Sequence, residues 1–187
     1  MKPMTLSAIA ALPATMALVK IALVSGAIVT FAPAIAGAIE KKGSTSYTSQ
    51  YVFRPVGNID VPNVGKVTAY EMAGPTVNTK GEPTFDKMQA RCFAVSVDSA
   101  GNKWIDGACS MTDNDGDVVF STFDTRDLDR AQPAMDCGTH TITGGTGKYK
   151  GITGREAFSC QTKPTPAGQP AGTLVIDIPH NTVWEIR

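Results

Sequence analysis

The sequence predicts an all-β domain of eight antiparallel strands, closed as a barrel or stacked as a sandwich, behind a removable signal peptide. Three observations carry this. The first 38 residues hold no Asp or Glu and only two charges, Lys2 and Lys20. Beyond them no long segment repeats apolar residues with a helical period. Short β-branched and aromatic runs are instead punctuated by Gly, Pro, Asn and Asp. All four cysteines fall in this second part.

The leader comes first. Ile21 to Phe31 is uncharged, the length of a signal-peptide core, and Ala34-Ile35-Ala36 and Ala36-Gly37-Ala38 are small-x-small cleavage patterns. Lys20 suits a charged n-region if translation starts at Met16. The run is short of the ~20 apolar residues a membrane span needs, so no stable insertion is expected after cleavage. Cleavage after Ala38 leaves 149 residues, enough for one domain, with net charge −2 once Lys2 and Lys20 are gone. The expected division is 1–38 signal peptide, 39–63 an N-terminal segment with the first strand, and 64–187 the β domain. No basic block is present, so a nucleic-acid partner is not expected. The expected location is periplasmic or secreted.

The strand runs follow in order: Tyr47–Arg54, Lys66–Met72, Thr84–Val97, Lys103–Thr112, Val118–Thr125, Cys137–Thr143, Tyr149–Gln161 and Thr173–Arg187. Pro55 and Gly57, Gly74-Pro75, Ser99 to Asn102, Asp113 to Asp117, Gly144-Gly145 and Pro164 to Pro170 separate them. Phe93, Val95 and Val97 share a face opposite Cys92, Ala94 and Ser96; Leu174, Ile176 and Ile178 share another. Closure would remove the exposed edges of a single antiparallel sheet.

One turn sets a register. If Ser99 to Asn102 is a four-residue hairpin loop, partners sum to 201, as Cys92 and Cys109 do. Cys137 and Cys160 sum to 297, with a turn near Lys148. The expected disulfides are therefore Cys92–Cys109 and Cys137–Cys160, consistent with an oxidising compartment.

Asp113-Asn114-Asp115-Gly116-Asp117 resembles the start of a calcium loop, but Val118 stands where that loop needs glycine and its flanks read as strands. A hairpin turn is the expectation, with Asp113, Asp115 and Asp117 as the alternative metal ligands. Gly147-Lys148 is followed by Tyr149 rather than Ser or Thr and by a strand rather than a helix, so it is no phosphate loop. Neither His140 nor His180 has a Gly-x-Ser-x-Gly elbow to serve. No cofactor is expected.

Thr143-Gly144-Gly145-Thr146-Gly147-Lys148-Tyr149, followed by Gly154-Arg155, resembles the "GGTGKF…RG" string of dirigent proteins and the related string of allene oxide cyclases. The resemblance implies an eight-stranded, calycin-like antiparallel barrel with an apolar lumen. It also implies a cofactor-free role, holding a small apolar or aromatic molecule or cyclising or isomerising it there. The cysteines and the Asp-rich turn depart from that pattern. In such a lumen Tyr70, Phe93, Val95, Phe120, His140, Leu174 and Ile176 are the expected ligand-lining residues. Glu71, Arg91, Arg155 and Glu156, polar residues within strand runs, are the candidates for acid–base work. A structural envelope protein with a filled interior is the competing expectation.

Overall fold

The computed structural model describes residues 39–187; the expected signal peptide and the alternative start at Met16 lie outside the described residues. Nine strands form one antiparallel sheet: β1 (Lys42–Val61), β2 (Gly65–Asn78), β3 (Gln89–Ser99), β4 (Asn102–Thr112), β5 (Val118–Asp124), β6 (Gly138–Gly145), β7 (Ile152–Phe158), β8 (Gln161–Lys163) and β9 (Leu174–Ile186). Neighbours run in chain order from β1 to β7, then β9, and β9 pairs back onto β1. Eight strands thus make a closed ring, with short β8 on the early part of β9. Because β1 pairs on both sides, residues 39–63 belong to the same ring as the rest.

Two expected breaks are internal features of strands. Val56 is an extra residue between the Pro55–Tyr70 and Gly57–Ala69 pairs, so β1 bulges and continues rather than stopping at Pro55. Gly74 lies within β2 because the β1 backbone approaches there; a Cβ would collide with the Gln50 carbonyl. The third expected run begins too early. Residues 79–88 form a loop in which Phe85 and Lys87 take positive φ (56° and 55°), which no strand allows. Asn78 and Thr76 hold this loop. The Thr76 hydroxyl donates to the Phe85 carbonyl (2.7 Å), and Asn78 Oδ1 accepts from the backbone of Lys80 and Glu82. Phe85 and Met88 are driven into the end of the ring and buried.

At that same end, the two turn motifs meet. Lys148 Nζ lies 2.7 Å from both Asp113 Oδ2 and Asp115 Oδ2, and the Lys148 backbone N–H donates to Asp117 Oδ2 (3.0 Å). Lysine's ammonium stands where the alternative metal reading would put a cation, and Asp117 is turned to the backbone. The Asp-rich segment is a turn that clamps the glycine-rich one. Gly147 is required there twice over: its φ is +50°, and a Cβ would fall on the Asp117 carboxylate. The clamp leads the chain through a 3-10 turn at Gly147–Tyr149 and seats the Tyr149 ring in the core.

Both disulfides form as expected, Cys92–Cys109 and Cys137–Cys160. Cys92 sits directly opposite Cys109, with Ser99 opposite Asn102. In the second hairpin partners sum to 296, Gly138 facing Phe158, so Cys137 and Cys160 join one position out of register beyond the strand ends.

Alternation holds, but its sign is the reverse of the expectation. On β3 the small residues Ala90, Cys92 and Ala94 face inward, while Phe93 is 63% and Val95 41% exposed. The first disulfide accounts for this: a directly opposed pair shares one face, and that face meets the buried rings of Tyr51, Phe53 and Phe123. The bulky residues of β1 and β5 fill the interior, leaving room for only small ones on β3.

Candidate functional site

Five polar side chains from five strands of the ring converge inside it. Tyr47 comes from β1, Ser121 from β5, His140 from β6, Glu156 from β7 and His180 from β9. Strand register brings them together: Glu156 lies opposite His140 on one side and Thr182 on the other, and Tyr47 lies opposite His180. Inward alternation does the rest, and all five are buried.

The Tyr47 hydroxyl donates to Glu156 Oε2 at 2.6 Å. Ser121 Oγ and His140 Nδ1 are 3.0 Å apart. His180 stacks on Tyr47 with centroids 4.5 Å apart and meets His140 edge-on at 5.3 Å. Its Nδ1 is 3.5 Å from Glu156 Oε2. Phe123 and Phe158 wall the His140 side, each 5.1 Å from its ring. Glu156 Oε1 and both ring nitrogens of His180 are buried without a hydrogen-bond partner.

Burial governs the electrostatics. Desolvation raises the Glu156 carboxyl to about 7, although the Tyr47 hydrogen bond favours its charged form. His140 falls to about 3 through desolvation. His180 lies well below the usual imidazole value, through burial first and His140 second. Burial also raises the Tyr47 phenol, with the Glu156 charge adding to it. At neutral pH the imidazoles are uncharged, and Glu156 stands near its midpoint. Such a group can accept or donate a proton without a strong bias.

Of the four acid–base candidates, Glu156 alone faces inward. Glu71 and Arg91 pair across the outer face at 2.7 Å, and Arg155 pairs outside with Asp127 at 3.0 Å. Of the expected lining residues, His140 is central. Half-buried Tyr70 packs edge-on against Phe53 at 6.2 Å, and Ile176 packs on the core. Phe93, Val95 and Phe120 stand on the outside, and Leu174 is 39% exposed. Tyr47, Ser121 and His180 are the additions the structure makes. For Tyr47 the signal was the run Thr45, Tyr47, Ser49, Tyr51, Phe53, an alternation whose polar members share the aromatic face; Ser121 and His180 had no such local signal.

At the Trp184 end, a cavity of about 630 Å³ is lined by Glu40, Glu82, Lys148, Tyr149 and Trp184 among others. Phe85, fully buried, packs against two rings of its lining and against the Tyr47 ring of the polar cluster. Its ring is 5.4 Å from Trp184, 6.2 Å from Tyr149 and 5.6 Å from Tyr47.

No family model matches the sequence. No curated protein matches it. Among solved structures, the pterocarpan synthase dirigent protein GePTS1 aligns over 80% of this chain and 88% of its own, at 13% identity and a TM-score of 0.41.

Proposed function

We propose that the domain is an exported, cofactor-free, small-molecule-binding barrel that holds an apolar or aromatic ligand against the interior cluster. One observation carries the reading: Glu156 Oε1 and both nitrogens of His180 are buried with no partner. Each unsatisfied buried polar group costs about 1–3 kcal/mol. A core serving only stability would replace such groups with apolar ones of the same shape. Keeping them makes sense where a ligand supplies the missing partners. Two disulfides suit an oxidising compartment, and no helix among the described residues is long and apolar enough to cross a membrane.

The test is titration of a fluorescent hydrophobic probe against the oxidised protein, with competition by small phenolic and aromatic molecules. Saturable binding that Glu156→Gln or His180→Ala weakens is expected. Absence of saturable binding would leave the structural reading.

A second reading has its own support. Glu156, poised near neutrality and hydrogen-bonded by Tyr47, is suited to moving a proton within a bound molecule. A cofactor-free isomerase or cyclase would use that pair. Turnover of a bound ligand lost in Tyr47→Phe, with binding retained, would separate it from binding alone.

A further inference from the structure

From the charges along the path to the cluster, we infer that the ligand carries a cationic nitrogen, a protonated amine on an apolar or aromatic body, which reaches Glu156 past Phe85. This rests on the small-molecule reading above and narrows its chemistry.

The interior has one carboxylic acid and no lysine or arginine among the described residues. Among the described residues, the buried polar and charged side chains are Thr, Ser, Asn, the two histidines and Glu156; none is Lys or Arg. The histidines sit in an apolar, aromatic setting that opposes their protonation. No protein cation is therefore placed to balance a carboxylate at Glu156, and its Oε1 has no donor. An anionic ligand would face the Glu156 carboxylate with no lysine or arginine beside it. An ammonium group would supply both the missing donor and the missing charge.

The outer cavity repeats the pattern. Glu40 and Glu82 line it. Its one base, Lys148, is already taken by Asp113 and Asp115 at 2.7 Å each. A run of packed rings leads from the cavity to Glu156: Trp184 and Tyr149 line the cavity, Phe85 packs on both and on Tyr47, and Tyr47 hydrogen-bonds Glu156; ring faces attract cations. Tyr149 already carries Lys148 Nζ at 5.6 Å from its centroid. Phe85 is the partition a ligand must displace, and its backbone stands at a φ of +56°, an uncommon conformation for a bulky residue.

Protons balance simply. Where Glu156 is protonated, the arriving ammonium replaces its proton, which leaves to solvent, and the carboxylate and ammonium remain as a buried pair with Tyr47 donating to the same carboxylate.

Three probes of one body decide the matter: benzylamine, benzyl alcohol and benzoate, titrated calorimetrically into the oxidised protein. Benzylamine is expected to bind at least tenfold more tightly than benzyl alcohol, with benzoate weakest. At pH 6, titration in two buffers of different ionisation enthalpy should show about one proton released per benzylamine and none per benzyl alcohol; this readout needs no variant. Glu156→Gln should lower benzylamine affinity at least tenfold and benzyl alcohol affinity by a much smaller factor, and Phe85→Ala should speed association of both. Equal affinity for amine and alcohol, or tightest binding of benzoate, overturns the cationic ligand while the small-molecule reading stands. Benzylamine binding lost in Glu82→Gln but kept in Glu156→Gln would confine the site to the outer cavity and overturn the inference. Failure of all three probes and of the hydrophobic probe removes both readings.

Discussion

Replacing Glu156 by Gln tests whether the cluster is as desolvated as its geometry implies. In the folded protein the carboxyl titrates at about 7, against 4.5 without burial. Its folded value is raised, so the stability tied to its neutral form is complete below 4.5 and lost as pH rises through 7. At about 1.4 kcal/mol per pH unit, that loss is about 3 kcal/mol. His140 runs the opposite way: its value falls from 6.5 to about 3, so its contribution is complete above 6.5 and lost as pH drops toward 3. His180, also held well below the usual imidazole value, adds to the His140 slope; between pH 4.5 and 6.5 the glutamate and imidazole slopes oppose each other, and the wild-type profile alone does not separate them. The difference between Glu156→Gln and wild type isolates the glutamate, because glutamine does not titrate and can still accept the Tyr47 hydrogen bond. Urea unfolding followed by circular dichroism, with disulfides intact, gives that difference at pH 4.5 and pH 7.5. The variant should gain about 3 kcal/mol on the wild type between those points, or about 6–12 °C in Tm. A constant offset between the two proteins across that range would refute the desolvated carboxylate.

Lys148→Met leaves half-buried Asp113 and exposed Asp115 without their shared cation, and should cost about 1 kcal/mol of unfolding free energy in denaturant titration. Gly147→Ala should cost about 2 kcal/mol, because alanine must hold a positive φ with its methyl against Asp117; a neutral result would mean the two turns are not clamped. Replacing Cys137 and Cys160 together by Ser should lower stability by about 3 kcal/mol without touching the cluster, so probe affinity at low temperature should survive. Phe93→Ser and Glu71→Gln, both on the outer face, should leave probe affinity unchanged, and Glu71→Gln should shift stability by less than about 1 kcal/mol.

Much of the fold was legible because β structure writes itself locally. The Ser99–Asn102 turn fixed Cys92 against Cys109, and the breaker clusters at 113–117 and 144–145 marked strand ends to within a residue or two. The face was not legible from apolarity alone. Phe93 and Val95 look more like core than Cys92 and Ala94, yet the ring has a fixed interior volume that Tyr51, Phe53 and Phe123 already occupy. The paired cysteines were the better guide to the inner side. Residues 84–88 read as strand because Thr84, Phe85 and Met88 are apolar or β-branched; only the positive φ values of Phe85 and Lys87 reveal a plug. The cluster was least legible. Tyr47 and Glu156 are 109 residues apart and meet only because β1, β9 and β7 lie side by side in register. No local pattern encodes that. Glu156 was picked out by its polarity within a strand, the same feature that picked out Glu71, Arg91 and Arg155 on the outside.

The pairing of the first strand with the last has a kinetic consequence. The Trp184 indole donates to the Glu40 carbonyl across 144 residues, and Lys42 stands opposite Glu185. The ring therefore cannot close until the C-terminal strand has emerged, and whatever forms earlier is an open sheet with two free edges. The disulfides, by contrast, span only 17 and 23 residues, within adjacent hairpins. Oxidation can lock β3 to β4 and tether the ends of β6 and β7 while β1 still waits for its partner. A refolding trace should then show disulfide formation running ahead of burial of Trp184, with docking of β9 onto β1 as the slow step.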